Sequence, residues 1–529
     1  MQTRHRIQPH RARGWRIALA CIALLGANTA SAAIGPGTSA HELLAQTLSA
    51  LAPHRDLRAL KSIQASTQTV SYDVVENDHL GAPYPFAGAA QASITDDLAN
   101  ARRLVVETTP GKPSRTVRTL FTRERQQAET SLDDQLTLAP TVDAPPSWET
   151  HDPIRVLLLA EQAADLQREP DTVRHEAVQH VLAFHHAGYP VRIFIDALTE
   201  LPSATEATIA LRRAHSAEIA WNGWGDVLER TEYLNWDVSD GVRYPQQWDM
   251  FRNDALFRTV TYADLHIDAP VAAEYFAMHT PADAPLPAYA DDLQLGQPVA
   301  NAPDPKRPIA EIAPAIVQIP NSWYTTLVRQ DDGIVIIDAP ISAGYSKRVL
   351  AEAARRFPGM PVKAVITSTG FYWHIAGIRE YAAQGIPIYV RDRNEPIVRK
   401  LLASRHSIAP DDLARAPRTP IIHAVSTRTL IGSGTHAIVL LPIRYGEQPM
   451  LMTWIGDAHL LHTAEMVQPL GPHGSLLYPE SLLELKHSVQ EAGIATEPLH
   501  IIGMHMSPTP WSTLEETLGA GYANSVNRP

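Results

Sequence analysis

The stretch Val365–Gly377 reads V-I-T-S-T-G-F-Y-W-H-I-A-G and decides the predicted fold. It begins in an apolar strand pattern and leads into a helical pattern that starts near Ile378. A loop at the carboxyl end of a strand that opens into a helix is where α/β proteins commonly place their chemistry. We therefore expect the polar and aromatic residues of this stretch to lie at a functional site.

The sequence on both sides of this stretch predicts a sheet built around it. Upstream, Ser322–Pro340 contains two β-rich runs separated by D-D-G, which is the pattern of a hairpin with a tight turn. Downstream, I-R-E-Y-A-A-Q-G-I-P-I-Y-V predicts a helix, a glycine stop and a further strand. The loop is therefore expected to connect two neighbouring strands through a helix.

This order of elements resembles the metallo-β-lactamase fold superfamily, whose equivalent loop carries H-x-H-x-D-H followed by x-G-G. In this chain His374 stands at the last histidine, and I-A-G follows it. The other three ligand positions hold Thr369, Phe371 and Trp373. The resemblance covers Ile309–Leu518 and rests on strand order and loop spacing more than on an intact motif.

The resemblance also implies where further metal ligands would lie. The run Pro449–Met466 is similar to the paired strands that end in the family's bridging carboxylate. Alignment on those strands places Glu465 at the bridging position, and Asp457, in a local G-D, is the alternative. The run Ile501–Trp511 resembles the family's closing loop, which makes His505 the last ligand.

These positions limit the metal chemistry that the resemblance implies. Three histidines of the first metal site would be replaced by Thr369, Phe371 and Gly446, so we expect no ion there. The ligands that remain are two imidazoles and one carboxylate, which suffice to hold one zinc ion and lower the pKa of its water to about 7. The cofactor expectation is therefore either one zinc ion or none.

Two functions from different classes follow from this resemblance. The first is a divergent hydrolase with at most one metal ion, acting on a carbonyl, phosphoryl or sulfuryl centre. The second is a non-catalytic ligand- or partner-binding protein in which Phe371, Tyr372 and Trp373 form the wall of an aromatic pocket, suited to an apolar or sugar-like ligand. Convergence of the three candidate ligands, with the Trp373 indole turned outward, would favour the hydrolase. No catalytic residue beyond the metal ligands is assigned.

Other motifs receive structural interpretations. His175–His180 reads H-E-A-V-Q-H, whose histidines are five residues apart, so it predicts a surface or interface helix and not the metalloprotease motif H-E-x-x-H. His459 and His462 flank a turn beside Asp457 and are expected to be exposed. Asp338 follows an apolar strand, where the family has an acid that supports the metal loop, and we expect it to be structural.

The first 32 residues predict a cleaved export signal. They contain five arginines and no acidic residue, then the apolar run Ile17–Ala27 and A-S-A at 30–32. That run is shorter than the ~20 residues a spanning helix needs, so we expect no stable membrane span after cleavage and a periplasmic or secreted protein. Cys21 is the only cysteine, so the mature chain would have neither disulfides nor thiolate metal ligands.

The charge balance restricts the partners. The chain has 45 basic and 57 acidic residues, and loss of the signal would leave 40 basic residues and a net charge of −17. Such a surface repels phosphate backbones, so we expect no nucleic-acid partner. The expected partner is a small-molecule substrate or ligand, and the oligomeric state is left open.

Length and pattern predict an α+β protein of two domains. At 529 residues the chain exceeds one ordinary core. Residues 33–280 predict a mostly antiparallel β domain with helices, including helical patterns at Pro153–Gln167 and Val173–Gly188 and a short strand at Ala217–Trp221. Residues 281–308 are a proline-rich linker, and residues 309–526 are expected to form an αββα sandwich of the metallo-β-lactamase type.

Overall fold

A large antiparallel sheet occupies the N-terminal half of the computed structural model. The structure describes residues 37–75, 84–109, 114–132, 135–139, 141–143, 147–281, 283, 285–299, 307–443, 449–470, 475–476 and 479–525. The predicted signal at residues 1–32 lies outside this part of the chain, and so does Gly446.

Within the described residues the first sheet has fourteen strands, and all its neighbouring pairs are antiparallel. The strands are β1 Ser62–Tyr72, β2 Phe86–Asp97, β3 Arg102–Thr109, β4 Arg115–Phe121, β5 Arg125–Leu132, β6 Gln135–Leu138, β7 Val142–Asp143, β8 Gln167–Arg174, β9 Ala177–His186, β10 Tyr189–Asp196, β11 Pro202–Ile209, β12 Val227–Ser239, β13 Val242–Arg252 and β14 Ala255–Ile267. Their order is β6-β5-β4-β3-β2-β1-β14-β13-β12-β11-β10-β9-β8, and β7 pairs with β5.

Four helices accompany this sheet in the described residues: α1 Ala40–Leu51, α2 Ser147–Thr150, α3 Pro153–Gln162 and α4 Ser216–Asn222. The helix predicted from Pro153 is confirmed. The helix predicted at Val173–Gly188 is wrong, because this segment is the hairpin of β8 and β9. His175 and Glu176 make its turn with φ of 46° and 66°, and the continuous burial of residues 179–184 hides the alternation that marks a strand. The strand predicted at Ala217–Trp221 is also wrong, because α4 covers it.

Two smaller sheets and a two-stranded ribbon follow from residue 310. Their strands are β15 Ala310–Ala313, β16 Ile316–Ile319, β17 Thr325–Gln330, β18 Gly333–Ile337, β19 Val362–Thr367, β20 Ile388–Arg391, β21 Ile422–Val425, β22 Thr429–Ile431, β23 Ile438–Pro442, β24 Leu451–Ile455, β25 Leu460–His462, β26 Pro469–Leu470, β27 Ser475–Leu476, β28 His500–Gly503 and β29 Met506–Pro510. Strands β15 to β21 form one sheet in chain order, parallel from β18 onward. The other sheet has the order β22-β23-β24-β25-β28-β29, and β26 pairs with β27. The predicted hairpin is confirmed as β17 and β18.

The helices of this half are α5 Ala343–Arg356, α6 Tyr372–Ile375, α7 Ile378–Ala383, α8 Glu395–Leu402, α9 Asp412–Arg415, α10 Pro479–Glu491 and α11 Trp511–Ser525. One apolar core combines side chains of both sheets, such as Val335 and Ile366 of one with Leu440 and Ile455 of the other, so the two sheets face each other. A second core joins the six-stranded sheet to α10 and α11. The chain is therefore a mixed α/β protein with large antiparallel sheets. No helix among the described residues is long and apolar enough to cross a bilayer.

The N-terminal half packs directly on the loop that contains His374. The Tyr372 amide donates to the Val75 carbonyl at 3.2 Å. The Tyr372 ring packs against Trp221 and Trp224, with centroid distances of 5.3 and 4.8 Å. A Cβ on Gly223 would lie 2.7 Å from the Ala376 backbone, so only glycine allows this approach. These contacts hold the loop from the side of the large sheet.

Gly377 holds the same loop from the side of α5. Its amide donates to the Ala339 carbonyl at 2.8 Å. A Cβ at this position would lie 2.2 Å from Ser346 Oγ, 2.6 Å from the Ser342 carbonyl oxygen and 3.0 Å from that of Pro340. Two of these neighbours are backbone atoms, so the site cannot accept a methyl group unless the loop moves.

We predict that Gly377→Ala lowers the free energy of unfolding by ~1–3 kcal/mol, the usual cost of overpacking. The matched control is Gly88→Ala, because a Cβ on Gly88 meets no atom within 4 Å. Urea denaturation followed by circular dichroism measures both changes. Equal stability of the two variants would show that the close approach at Gly377 does not constrain the loop.

Candidate metal centre

Three predicted ligands from distant parts of the sequence meet at one point. His374 lies in α6, Glu465 follows β25, and His505 lies in the turn between β28 and β29. One ligand atom of each lies within 4.8 Å of the others. His374 is fully buried, while the side chains of Glu465 and His505 are 9% and 20% exposed. The structure therefore brings together the residues that the sequence nominates for a single ion.

The spacing of these atoms suits a small cation. His374 Nε2 lies 3.3 Å from Glu465 Oε2, and His505 Nε2 lies 3.1 Å from Glu465 Oε1. Two ligands at the ~2.0–2.2 Å bond lengths of tetrahedral zinc are about 3.3–3.5 Å apart. Two imidazoles and a carboxylate are also a donor set that zinc accepts. Both the spacing and the donor atoms fit one zinc ion.

Two buried atoms at this point lack hydrogen-bond partners among the described residues: His374 Nε2 and Glu465 Oε2. They are close enough for an ion pair, yet their orientation does not form a hydrogen bond. A buried polar atom without a partner costs ~1–3 kcal/mol, so native proteins rarely leave two together. A cation between them would satisfy both.

The Thr369 hydroxyl fixes the orientation of His374. Thr369 Oγ1 lies 2.8 Å from His374 Nδ1, and it accepts a hydrogen bond from the Phe371 amide at 3.2 Å. When Nδ1–H donates to this oxygen, the lone pair of Nε2 points toward Glu465. Metal-ligating histidines are commonly oriented in this way, by a partner on the second ring nitrogen. Thr369 thus contacts one of the three candidate ligands.

Burial sets the charges of the pair. Burial lowers the pKa of His374 to about 4 despite the nearby Glu465 carboxylate, so the imidazole is neutral and able to bind a metal at neutral pH. Burial acts to raise the pKa of Glu465, but the two imidazoles and a hydrogen bond from Gln468 outweigh it and lower that pKa. Gln468 Nε2 donates to Glu465 Oε1 at 2.8 Å. The centre therefore offers one carboxylate charge to a cation.

Asp338 has a structural role in the loop that contains His374, as the sequence predicts. Its carboxylate accepts hydrogen bonds from the Ser368 amide at 2.7 Å and the Ser368 hydroxyl at 2.9 Å. His462 Nε2 faces the same carboxylate at 3.5 Å. The expected exposure of His462 is wrong: it is 1% exposed, because β25 turns it inward while its Nδ1 accepts from the Ala464 amide. The short apolar run around it, L-L-H, is the signal that indicates burial.

Asp457, the alternative bridging carboxylate, binds elsewhere. Its carboxylate accepts a hydrogen bond from the His436 amide at 2.8 Å and lies 3.0 Å from His436 Nδ1. His459 is exposed in the same turn, as expected, with a φ of 50°. The structure therefore places Glu465, and not Asp457, beside the two histidines.

Aromatic side chains surround His374. The Trp373 ring stacks on Trp323 with centroids 6.1 Å apart and planes 15° apart, and Trp323 lies 6.4 Å from His374. Phe371 lies 5.8 Å from His374 on another side and belongs to the core under α10 and α11. Trp323 is a neighbour of His374 that the sequence does not predict, although it stands in the S-W-Y at the start of the predicted hairpin segment.

His374, Glu465 and His505 together form a three-residue candidate site for one metal ion. No protein-family model matches the chain. The chain is similar in structure to a metallo-β-lactamase from Pontibacter korlensis, with 14% identity, a TM-score of 0.31 and coverage of 40% of this chain and 97% of that one. It is also similar to the DIM-1 metallo-β-lactamase, with 13% identity, a TM-score of 0.31 and coverage of 42% and 99%.

A curated relative matches by sequence. The chain is 36% identical to the probable metallo-hydrolase YflN of Bacillus subtilis strain 168 over 86 residues. These residues make up 16% of this chain. The chain thus spans about a third, 31%, of the length of that relative. The predicted resemblance to the metallo-β-lactamase fold superfamily is confirmed by this similarity to a metallo-hydrolase.

We predict that Thr369→Val weakens zinc binding ~10–100-fold, the usual effect of removing a group that orients a ligand. The substitution keeps the side-chain shape and removes the oxygen 2.8 Å from His374 Nδ1. Thr367→Val is the matched control, because Thr367 is equally buried and its hydroxyl makes only a 3.5 Å contact with the Tyr389 carbonyl. Competition with a chromophoric chelator measures the affinity, and equal affinities would contradict the orienting role.

A second prediction concerns the pH dependence of the metal-free protein. Burial raises the pKa of Asp338 to about 7, against ~3.9 in an unfolded chain. The folded state then binds a proton that the unfolded state lacks between these values, so this stabilising contribution is lost as the pH rises toward 7 and above. Asp338→Asn removes that loss. Relative to the wild type, the variant should therefore gain stability between pH 5 and pH 8, as measured by urea denaturation in chelator. A difference in the free energy of unfolding between the variant and the wild type that does not change with pH would contradict the raised pKa of Asp338.

Proposed function

We propose that this chain is an exported hydrolase-like protein of the metallo-β-lactamase fold with one metal ion at His374, Glu465 and His505. The observation that carries the proposal is the convergence of these three ligands around two buried, unpartnered atoms. The hydrolase-like character is supported by the similarity to a metallo-hydrolase. The αββα arrangement of residues 309–526 and the separate N-terminal domain belong to the same proposal.

A single ion is proposed because the other family positions hold unsuitable groups. Phe371 provides no donor atom and lies in an apolar core. The Thr369 hydroxyl is already hydrogen-bonded to His374 and to a backbone amide. Trp373, at the position of the motif's aspartate, stacks on Trp323.

Bound zinc supplies Lewis acidity and a water of lowered pKa, which suits hydrolysis at a carbonyl, phosphoryl or sulfuryl centre. The residues of this chain prepare the place for it. The Thr369 hydroxyl accepts from Nδ1–H of His374, and Gln468 donates to Oε1 of Glu465. The stacked indoles of Trp323 and Trp373 exclude water from one side of His374. Reduced water raises the strength of the electrostatic interactions inside.

The runner-up function is a ligand-binding protein without catalysis. The stacked pair of Trp373 and Trp323 beside His374 is the observation that favours it, because indoles supply large apolar contact area with a hydrogen-bonding edge. The two functions differ in one measurable property, which is metal-dependent turnover.

The test is zinc-dependent hydrolysis by the full mature chain of an aryl ester, an aryl phosphate, an aryl sulfate and a β-lactam. We predict turnover of at least one class, with kcat/KM lowered at least ~100-fold in Glu465→Gln and His505→Ala, the scale of losing one electrostatic stabiliser. His459→Ala is the control, because His459 is exposed and lies in the Asp457 turn. Turnover that ignores zinc or survives both variants would overturn the hydrolase proposal. Zinc binding without turnover of any class would favour the runner-up.

A further inference from the structure

A small cavity lies against the loop that contains His374, and the connection between β1 and β2 supplies one of its walls. Its lining is mostly apolar and comes from four separate parts of the chain: Val74, Val75, Tyr84, Thr369, Gly370, Phe371, Tyr372, Asn394, Ile397, Pro449 and Met450. The first three of these lie in the connection between β1 and β2. The others belong to the loop, to α8 and its N-terminal turn, and to the residues before β24.

Two of the residues that line the cavity also contact His374 of the candidate metal centre. Thr369 and Phe371 line the cavity, and both also contact His374: Thr369 Oγ1 at 2.8 Å from Nδ1, and the Phe371 ring with its centroid 5.8 Å from that of the imidazole. Thr369 and Phe371 therefore link the cavity to the candidate metal centre, because each contacts both.

The walls are built rigidly. The Tyr372 amide donates to the Val75 carbonyl, which joins the N-terminal wall to the loop. Asn394 Nδ2 donates to the Pro449 carbonyl at 2.6 Å, which joins the opposite wall across the cavity. A Cβ on Gly370 would lie 2.9 Å from Asn394, so glycine allows the loop to approach this wall.

Size and lining define what the cavity accepts. Its volume is about 50 Å³, and since one water needs ~10–15 Å³, it has room for about four heavy atoms. Apolar cavities of this kind stay dry and bind small apolar compounds. Tyr84 contributes a phenol hydroxyl to a lining that is otherwise mostly apolar.

We propose that this cavity binds a compact aliphatic group of about four heavy atoms on the protein's neutral small-molecule ligand, with the Tyr84 hydroxyl as hydrogen-bond partner. The inference rests on the proposed function only in that the ligand is the substrate of the metal centre. It gives the N-terminal half a part in recognition, because Val74, Val75 and Tyr84 of the β1–β2 connection lie outside residues 309–526.

The experiment uses butyramide, a neutral four-carbon amide, with the full mature chain kept metal-free by a chelator. Ligand-observed nuclear magnetic resonance measures its dissociation constant. Ile397→Trp and Val75→Trp fill the cavity from opposite walls and should each raise that constant at least tenfold. Leu483→Trp makes the same kind of change at a leucine that is 42% exposed on α10, and it should leave the constant unchanged. Circular dichroism and thermal melts check that each variant folds.

Two results would overturn the inference: wild-type protein that does not bind butyramide, or equal binding by the wild type and both filled variants. Acetamide, which lacks the aliphatic chain, should bind at least tenfold more weakly than butyramide. Because the protein is metal-free, failure of the zinc hydrolase proposal leaves this result intact. A zinc-dependent hydrolase that fails to bind butyramide would in turn reject only the cavity assignment.

Discussion

The site depends on one pair of buried polar atoms that lack hydrogen-bond partners among the described residues. His374 Nε2 and Glu465 Oε2 are buried 3.3 Å apart without a hydrogen bond between them. Because each unsatisfied atom costs ~1–3 kcal/mol, the surrounding structure must hold them in place by other contacts. Thr369 fixes the far nitrogen of the histidine, and Gln468 fixes the far oxygen of the carboxylate. This cost is understandable if the native protein places a cation there, since an ion at that point would satisfy both atoms at once.

The loop that contains His374 is constrained from two sides, and that explains the packing of the two halves. From one side, the large antiparallel sheet reaches it through Val75 and the α4 segment, with Gly223 in backbone contact at Ala376. From the other side, Gly377 lies against α5 and Asp338 binds Ser368. A metal centre requires ligands fixed within a fraction of an ångström, and a loop braced in this way meets that requirement. The N-terminal half therefore acts on the site through the loop, whatever else it binds.

Local pattern predicted much of this arrangement, and long-range packing decided the rest. The hairpin of β17 and β18 and the helix at Ile378 follow from runs in which apolar spacing and turn residues agree. The choice of Glu465 came from the family resemblance, by alignment on its paired strands. The segment Val173–Gly188 misled because a strand buried on both faces shows no alternation, and only the left-handed turn residues reveal the hairpin. His462 was expected to be exposed because it stands beside a polar turn, yet the carboxylate it faces is more than a hundred residues away in sequence. Trp323 and the N-terminal wall of the cavity could not be predicted, since no local pattern records which distant element covers a loop.

The zinc stoichiometry of the purified protein tests the central claim most directly. The protein would be loaded with excess zinc, separated from free metal by gel filtration and measured by elemental analysis, beside His374→Leu as the variant that removes the buried ligand. The account predicts one zinc ion per wild-type chain and almost none in the variant. Two ions per chain would contradict the single-metal centre, and no zinc in the wild type would show that the buried pair of His374 and Glu465 is not a metal site.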